Sequence, residues 1–81
     1  MTSAPLTIYS TTWCGSCKRL KSQLDRVGIG YVDIDIEKDS KAAAIVARVN
    51  KGNHTVPTVV FADGTALTNP SVADIAERLI S

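Results

Sequence analysis

The chain is predicted to adopt an α/β fold of order βαβαββα, in which one mixed sheet of four strands is flanked on both faces by three helices. Strand-like and helix-like hydrophobic periods alternate through the first half of the chain, an Asp-Gly turn joins two apolar runs in the second half, and a well-marked helix closes it. At 81 residues, with 44% hydrophobic and 21% charged residues, the chain suits one globular domain over residues 1–81.

The first half of the chain predicts a strand–helix–strand unit. Residues 6–10 read LTIYS, the pattern of a buried strand. A helix follows, because apolar residues recur at spacings of three and four until Gly28 and Gly30 stop it. Residues 31–36 then alternate strictly between apolar and polar, as in a half-buried strand with a right-handed crossover before it. The inward face of this helix is expected to comprise Cys17, Leu20, Leu24 and Val27.

A second helix and a hairpin are predicted next. Asp39 or Ser40 can cap the helix at its N-terminus. Residues 58–61 and 65–67 form a hairpin around an Ala-Asp-Gly turn, because Asp-Gly supplies the positive backbone angles that a tight turn needs. The inward face of the second helix is expected to comprise Ala42, Ile45, Val46 and Val49.

The last helix has the clearest start signal. Ser71 and Asp74 fit a capping box, and Pro70 stands just before it. Its inward stripe is expected to comprise Val72, Ile75, Ala76 and Leu79.

Charge and the N-terminal segment limit the classes of function. Nine basic against eight acidic residues give a net charge of +1, which favours neither nucleic acid nor an anionic membrane as a partner. The segment MTSAPLTIYS has no basic leader or long apolar run. We therefore expect a cytoplasmic monomer that does not bind a membrane. In that reducing compartment a structural disulfide is disfavoured, so a close cysteine pair indicates redox chemistry or metal binding.

Both cysteines lie in the segment TTWCGSCKR, residues 11–19. Cys14 is predicted to lie at the mouth of the first helix, where unpaired N–H groups and the helix dipole favour an anion, and Cys17 belongs to the apolar stripe. Cys14 is thus expected to be the accessible thiol that ionises. Cys17 can attack a mixed disulfide formed at Cys14, and Gly15 and Ser16 leave the turn between them open to a substrate.

The cysteine pair has alternative interpretations. A structural disulfide is one, and a zinc site is another, although beyond the two cysteines the chain offers only His54 as a nitrogen ligand. An iron–sulfur cluster shared between two chains needs only two thiolates from each. His54 itself is interpreted as a surface residue without a role.

Several residues near the pair allow two interpretations each. Trp13 either forms a wall of the substrate groove or packs against the end of the sheet. The cations of the first helix either steer acidic partners or serve solubility, and the acidic run after the second strand is interpreted as a solvated face rather than a cation site. These charged residues are Lys18, Arg19 and Lys21, and Asp33, Asp35, Glu37 and Asp39.

The whole chain resembles the glutaredoxins, small members of the thioredoxin fold, and among them it is most similar to the mycoredoxins, which use mycothiol. The segments that carry the resemblance are LTIYSTTWCGSC at the front, DIDIE in the second strand and VNKGNHTVPTVVFADGTALTNPS towards the end. The pairing of WCxxC with TVPT about forty residues later is a strong joint signal. The TALTNPS segment is what favours mycothiol.

The resemblance implies a thiol–disulfide oxidoreductase that acts on mixed disulfides between proteins and a small thiol. Cys14 would be the nucleophile and Cys17 the resolving residue. Residues 55–57 would face Cys14 with a cis bond before the proline, and the backbone of Val56 could pair with an extended substrate. No cofactor is bound; mycothiol or glutathione is the co-substrate, and an NADPH-dependent reductase regenerates it. The remaining substrate-binding residues implied are Trp13, Gly15, Ser16, Thr55, Pro57, Thr68 and Asn69.

This chain also departs from the family pattern. Glutaredoxins carry a proline and a tyrosine between the cysteines, and a Gly-Gly pair before an acidic residue near the last helix, where this chain has Gly15-Ser16 and a Thr-Asn-Pro-Ser segment. Ser16 also removes a tyrosine wall for the sugar part of mycothiol. Two alternatives therefore stay open: a hydrogen donor to ribonucleotide reductase that is recycled by thioredoxin reductase, and an iron–sulfur carrier.

Overall fold

A computed structural model gives the structure of the protein and describes residues 6–80. The predicted order βαβαββα is confirmed. The elements are β1 (Leu6–Ser10), α1 (Gly15–Val27), β2 (Val32–Asp35), α2 (Ser40–Val49), β3 (Thr58–Phe61), β4 (Ala66–Thr68) and α3 (Val72–Ile80).

The four strands form one mixed sheet in the order β2-β1-β3-β4. β1 pairs with β2 in parallel and with β3 antiparallel, and β3 and β4 form an antiparallel hairpin around Gly64 (φ +91°). Because β1 and β3 are antiparallel neighbours, the segment that follows β1 and the segment that precedes β3 meet at the same end of the sheet. That end holds both the cysteine pair and the Val56–Pro57 loop.

Two apolar clusters hold helices against opposite faces of the sheet, as predicted. The alternation of side chains along β1 sends Leu6 and Ile8 to one face and Tyr9 to the other. The α1-side cluster, which includes α3, consists of Leu6, Ile8, Leu20, Leu24, Val59, Phe61 and Ile75. The α2-side cluster consists of Tyr9, Ile36, Ala42 and Val46.

The predicted helix caps are present. Asp39, rather than Ser40, caps α2 by accepting hydrogen bonds from two backbone N–H groups of its first turn. Ser71 and Asp74 form the reciprocal capping box of α3, with distances of 3.0 and 3.1 Å. Gly28 ends α1 in the left-handed conformation (φ +79°), and its N–H bonds carbonyls of the last turn.

Some expected inward residues are exposed instead. The affected residues are Val27, Ile45, Val49 and Leu79. Val27, Val49 and Leu79 lie in the last turns of their helices, and Ile45 lies beside Val46 at the border of its stripe, where the narrow sheet gives no cover. β2 is also shorter than predicted, and Val32 is exposed because this edge strand has one neighbouring strand. Among the helices of residues 6–80, none has the length and apolar character needed to cross a bilayer.

Candidate active site

Cys14 is the N-cap of α1, which confirms its predicted place at the mouth of the helix. Its Sγ accepts a hydrogen bond from the backbone N–H of Cys17 at 3.2 Å, and its S–H donates to the carbonyl of Val56 at 3.9 Å. The N–H donor and the positive end of the α1 dipole both favour negative charge on this sulfur. The mouth of α1 therefore presents a backbone donor and the positive end of a helix dipole to the Cys14 sulfur.

The expectation that Cys14 is openly accessible is wrong. It is 7% exposed, because the Val56 loop covers one side of the helix mouth, whereas Cys17 is completely buried. Cys14 is therefore still the more exposed of the two thiols, but the difference in exposure is smaller than the sequence suggested. Both are free thiols in this structure.

The surroundings of Cys17 keep its proton in place. Burial, followed by the hydrogen bond and the charge of Cys14, raises the pKa of Cys17 from 9.0 to about 12, although a backbone hydrogen bond from Thr11 and the charge of Lys21 act in the opposite direction. Cys17 is therefore a protonated thiol at neutral pH.

The segment from Thr55 to Pro57 lies opposite Cys14, and the Val56–Pro57 peptide bond is cis, as the resemblance implied. The loop is held at both ends: Thr58 donates its hydroxyl to the Thr55 carbonyl at 2.8 Å, and the N–H of Asn69 donates to the Pro57 carbonyl at 2.7 Å. Within residues 6–80 the N–H of Val56 donates to no protein acceptor. A backbone donor beside the Cys14 sulfur is thus without a protein acceptor.

A cavity of about 380 Å³ lies beside the cysteine motif, between α1 and the segment that precedes α3. It brings together Ser16 and Asn69, two of the predicted substrate-binding residues, but not Thr68. Thr68 instead donates its hydroxyl to Asn50 at 2.6 Å. The cavity is lined by Ser16, Arg19, Leu20, Gln23, Asn69, Pro70 and Ser71.

Asn50 is a structural residue that the sequence reasoning missed. Its amide group donates to the carbonyl of Val46 at 2.8 Å and to the hydroxyl of Thr58 at 3.1 Å, so it ties the end of α2 to β3 as well as to Thr68 on β4. An Asn that follows the last apolar residue of a helix is a C-cap signal and could have pointed to it.

Trp13 does not pack against the end of the sheet, so that interpretation is wrong. Its side chain is 69% exposed, and its indole N–H donates to the Glu37 carboxylate at 3.2 Å. The indole ring therefore lies in solvent beside Cys14, and its N–H edge is held by Glu37.

Asp33 and Lys21 are not the freely solvated charges that the sequence suggested. Lys21 Nζ lies 2.8 Å from Asp33 Oδ2, and Ser10 donates its hydroxyl to Asp33 Oδ1 at 2.7 Å. Burial alone would raise the pKa of Asp33, but the hydrogen bonds from Lys21 and Ser10 outweigh it and hold that pKa below its usual value of 3.8.

His54 and possible metal ligands are further candidates for parts of the site. His54 is exposed, and within residues 6–80 no three side chains of the His, Cys, Asp and Glu types converge on a point where a metal ion could be held.

Comparison with known proteins places these features in a family. The glutaredoxin family model matches residues 6–66. A Mycobacterium tuberculosis protein provisionally named a glutaredoxin is 52% identical, with coverage of 99% of this chain and 95% of the relative. Mycoredoxin 1 of Corynebacterium glutamicum is 43% identical, with coverage of 91% of each chain.

A solved structure agrees with these sequence relatives. The buckwheat glutaredoxin–glutathione complex superposes with a TM-score of 0.67 at 31% identity and covers 94% of this chain and 68% of the buckwheat chain. Proteins of this type act on disulfides or mixed disulfides with a low-molecular-weight thiol. The chain therefore belongs to the glutaredoxin family and is a thiol–disulfide oxidoreductase that carries the pair Cys14 and Cys17.

Proposed function

We propose that the protein removes mycothiol from mixed disulfides between proteins and mycothiol. The thiolate of Cys14 attacks the mycothiol sulfur, the protein thiolate leaves and takes up a proton, and mycothiol remains joined to Cys14. A second mycothiol thiolate then attacks that mycothiol sulfur, so that Cys14 leaves reduced and mycothiol disulfide is released. The observation that carries the proposal is the Cys14 sulfur at the mouth of α1, which accepts a hydrogen bond from the Cys17 N–H.

The choice of mycothiol is supported by the relatives and by the cavity. One relative is a mycoredoxin at 43% identity, and another is bound to glutathione, a thiol of the same role. The 380 Å³ cavity is lined mainly by hydroxyl, amide and guanidinium groups, which suit the hydroxyl-rich sugar part of mycothiol. Its volume falls in the usual range for small-ligand sites.

Each predicted site residue has a role in this proposal. Val56 offers its free N–H to the cysteinyl backbone of the thiol, held in place by Thr55 and Pro57. Gly15 and Ser16 leave room for the mixed disulfide, and Asn69 lines the sugar site. Trp13 forms an exposed contact for the protein substrate, and Thr68 ties β4 to Asn50 at the end of α2. Cys17 acts when two electrons are passed to a protein disulfide.

The proposal extends to the setting of the reaction. We place the protein in the cytoplasm, as a monomer of one domain that spans residues 1–81. In that compartment an NADPH-dependent reductase keeps mycothiol reduced. The protein holds no bound cofactor in this scheme, because all electrons enter through the co-substrate.

The test is turnover of a mycothiolated model protein with mycothiol, its reductase and NADPH. Cys14→Ser is expected to abolish turnover, whereas Cys17→Ser retains it, because release by a second thiol does not require Cys17. Equal loss in both variants would show that the monothiol route is wrong.

Two further arms separate the alternatives. Reduction by thioredoxin reductase and NADPH without a small thiol would favour a donor to ribonucleotide reductase. Brown protein after anaerobic purification, with the colour lost in Cys14→Ser, would favour an iron–sulfur carrier.

A further inference from the structure

We propose that Lys21, held in position by Asp33 and Ser10, speeds the step in which Cys17 attacks a mixed disulfide at Cys14. The inference rests on the proposed function and assigns a residue to its dithiol branch. Lys21 acts on the reaction through Cys17, by favouring the ionised form of that thiol with its positive charge, and is therefore a positioning residue rather than a catalytic one.

The geometry of α1 places the Lys21 side chain on the same helix face as the buried thiol of Cys17. Lys21 follows Cys17 by four residues on α1, so the two side chains lie on the same face one turn apart, with Cβ atoms roughly 5–6 Å from each other. The Lys21 side chain is only 22% exposed, because Asp33 Oδ2 holds its Nζ at 2.8 Å. Asp33 is fixed in turn by the buried hydroxyl of Ser10 at 2.7 Å. Lys21 is therefore a fixed charge rather than a mobile surface cation.

The electrostatics of Cys17 change when Cys14 forms the mixed disulfide. In the reduced protein, burial and then the hydrogen bond and charge of Cys14 raise the pKa of Cys17, whereas a backbone hydrogen bond from Thr11 and, to a smaller extent, the charge of Lys21 lower it. A mixed disulfide at Cys14 carries neither a thiol proton nor a charge, so both contributions of Cys14 disappear. Burial then remains as the obstacle to ionisation of Cys17, and it is opposed by the backbone hydrogen bond from Thr11 and by the positive charge of Lys21.

The step balances without an external oxidant or reductant. Cys17 gives its proton to solvent, and its thiolate attacks the Cys14 sulfur. The Cys14–Cys17 bond forms as the bond from Cys14 to the small thiol breaks. The small thiolate leaves and takes up a proton from solvent.

The size of the effect follows from two opposing terms. If loss of Lys21 raises the pKa of Cys17 by one unit, the thiolate fraction at neutral pH falls about tenfold. The remaining thiolate is more nucleophilic by about threefold, because nucleophilicity rises with basicity with a coefficient of about 0.4–0.5. Ring closure is therefore expected to slow by about threefold for each unit.

The test follows both steps by acid quenching and mass spectrometry. Reduced protein is mixed with glutathione disulfide as the probe, and the glutathionylated intermediate is distinguished from the internal disulfide by mass. Lys21→Met is expected to slow closure of the internal disulfide, by about threefold for each unit by which the pKa of Cys17 rises. Lys21→Arg, which keeps the charge, is expected to restore it, and Lys18→Met is the matched control, since Lys18 is an exposed cation of the same helix.

A second background separates charge from structure. In the Cys17→Ser background, the glutathionylated intermediate is expected to form at the same rate whether position 21 carries the native lysine or the Lys21→Met substitution. Unchanged ring closure in Lys21→Met, failure of Lys21→Arg to restore it, or equal slowing of both steps would overturn the inference. Failure of the mycothiol proposal would leave these rates measurable, because the probe is glutathione disulfide.

Discussion

The two cysteines illustrate how neighbouring residues of one type acquire different chemistry. Cys14 receives an N–H donor and the positive end of a helix, whereas Cys17, three positions later, is completely buried. The difference arises because successive positions of a helix face different surroundings: the N-cap lies at the helix mouth beneath the Val56 loop, and position 17 faces the protein interior.

Alkylation should distinguish the two thiols. Burial and the neighbouring Cys14 raise the pKa of Cys17 from 9.0 to about 12, so at pH 8 its thiolate is roughly a thousandfold scarcer than in the unfolded chain. We expect iodoacetamide to modify Cys14 and to leave Cys17 free in the folded protein, and to modify both in urea. Fragmentation of the peptide by mass spectrometry locates the label, and labelling of Cys17 in the folded protein at a rate equal to that in urea would contradict the expectation.

Asp33 should contribute to stability in a pH-dependent way. Although burial opposes the shift, hydrogen bonds from Lys21 and Ser10 lower the pKa of Asp33 in the folded state. A lowered folded pKa stabilises the protein above the usual value of 3.8, and this contribution is lost as the pH falls through the folded pKa. The difference in unfolding free energy between the native protein and Asp33→Asn is therefore expected to shrink between neutral pH and about pH 3.

Urea denaturation at several pH values measures this difference. Lys18→Met is the control, because Lys18 is an exposed cation of the same helix and is not part of the Lys21–Asp33 ion pair. A difference between native protein and Asp33→Asn that stays constant on acidification would show that the Lys21 and Ser10 contacts do not favour the charged carboxylate.

At the scale of elements, the ends of helices are set by a few residues. α1 begins at the Cys14 cap and ends at Gly28, which adopts a backbone angle that other residues rarely adopt. This end matters for the site because it fixes the length of α1 before the chain turns into β2.

Gly28→Ala should destabilise the protein by about 1 kcal/mol. A methyl group at this position would meet no atom within 4 Å, so the cost comes from the left-handed conformation (φ +79°) rather than from a clash. Gly15→Ala is the matched control: it also meets no atom within 4 Å but has no positive φ, and it is expected to be neutral or stabilising by up to about 1 kcal/mol. The urea midpoint measures both, and equal effects would contradict the conformational explanation.

Local signals made much of this fold predictable. The cap of α3, the Asp-Gly turn and the order of helices and strands depend on residues close in sequence, and each was confirmed, although the hydrophobic periods also assigned four exposed residues to inward faces. The contact between Lys21 and Asp33, and the ties from Asn50 to Thr58 and Thr68, join different elements. No local pattern specifies such contacts, because they depend on how the elements pack. For the same reason, the cover over Cys14 became visible only when the Val56 loop was in place.

At the scale of the whole molecule, the sheet couples two apolar clusters. β1 sends Leu6 and Ile8 into the α1-side cluster and Tyr9 into the α2-side cluster, and β3 likewise contributes Val59 to the first while Val60 packs against the second. Because the same two strands belong to both clusters, neither face can lose its packing without disturbing the other. Cooperative unfolding of the described residues as one unit follows from this sharing.

Substitutions on opposite faces should therefore shift one common transition. Ile75 and Val46 are both completely buried, one in each cluster. Ile75→Val is expected to cost about 0.5–1.5 kcal/mol, and Val46→Ala about 2 kcal/mol, from lost apolar burial and the cavity left behind. Urea unfolding followed by far-ultraviolet circular dichroism and by the fluorescence of the single tryptophan should give coincident curves for each variant. Separate transitions in Val46→Ala would mean that α2 unfolds independently of the sheet. The cysteine site would then be stabilised by the α1-side cluster without a contribution from the α2-side cluster.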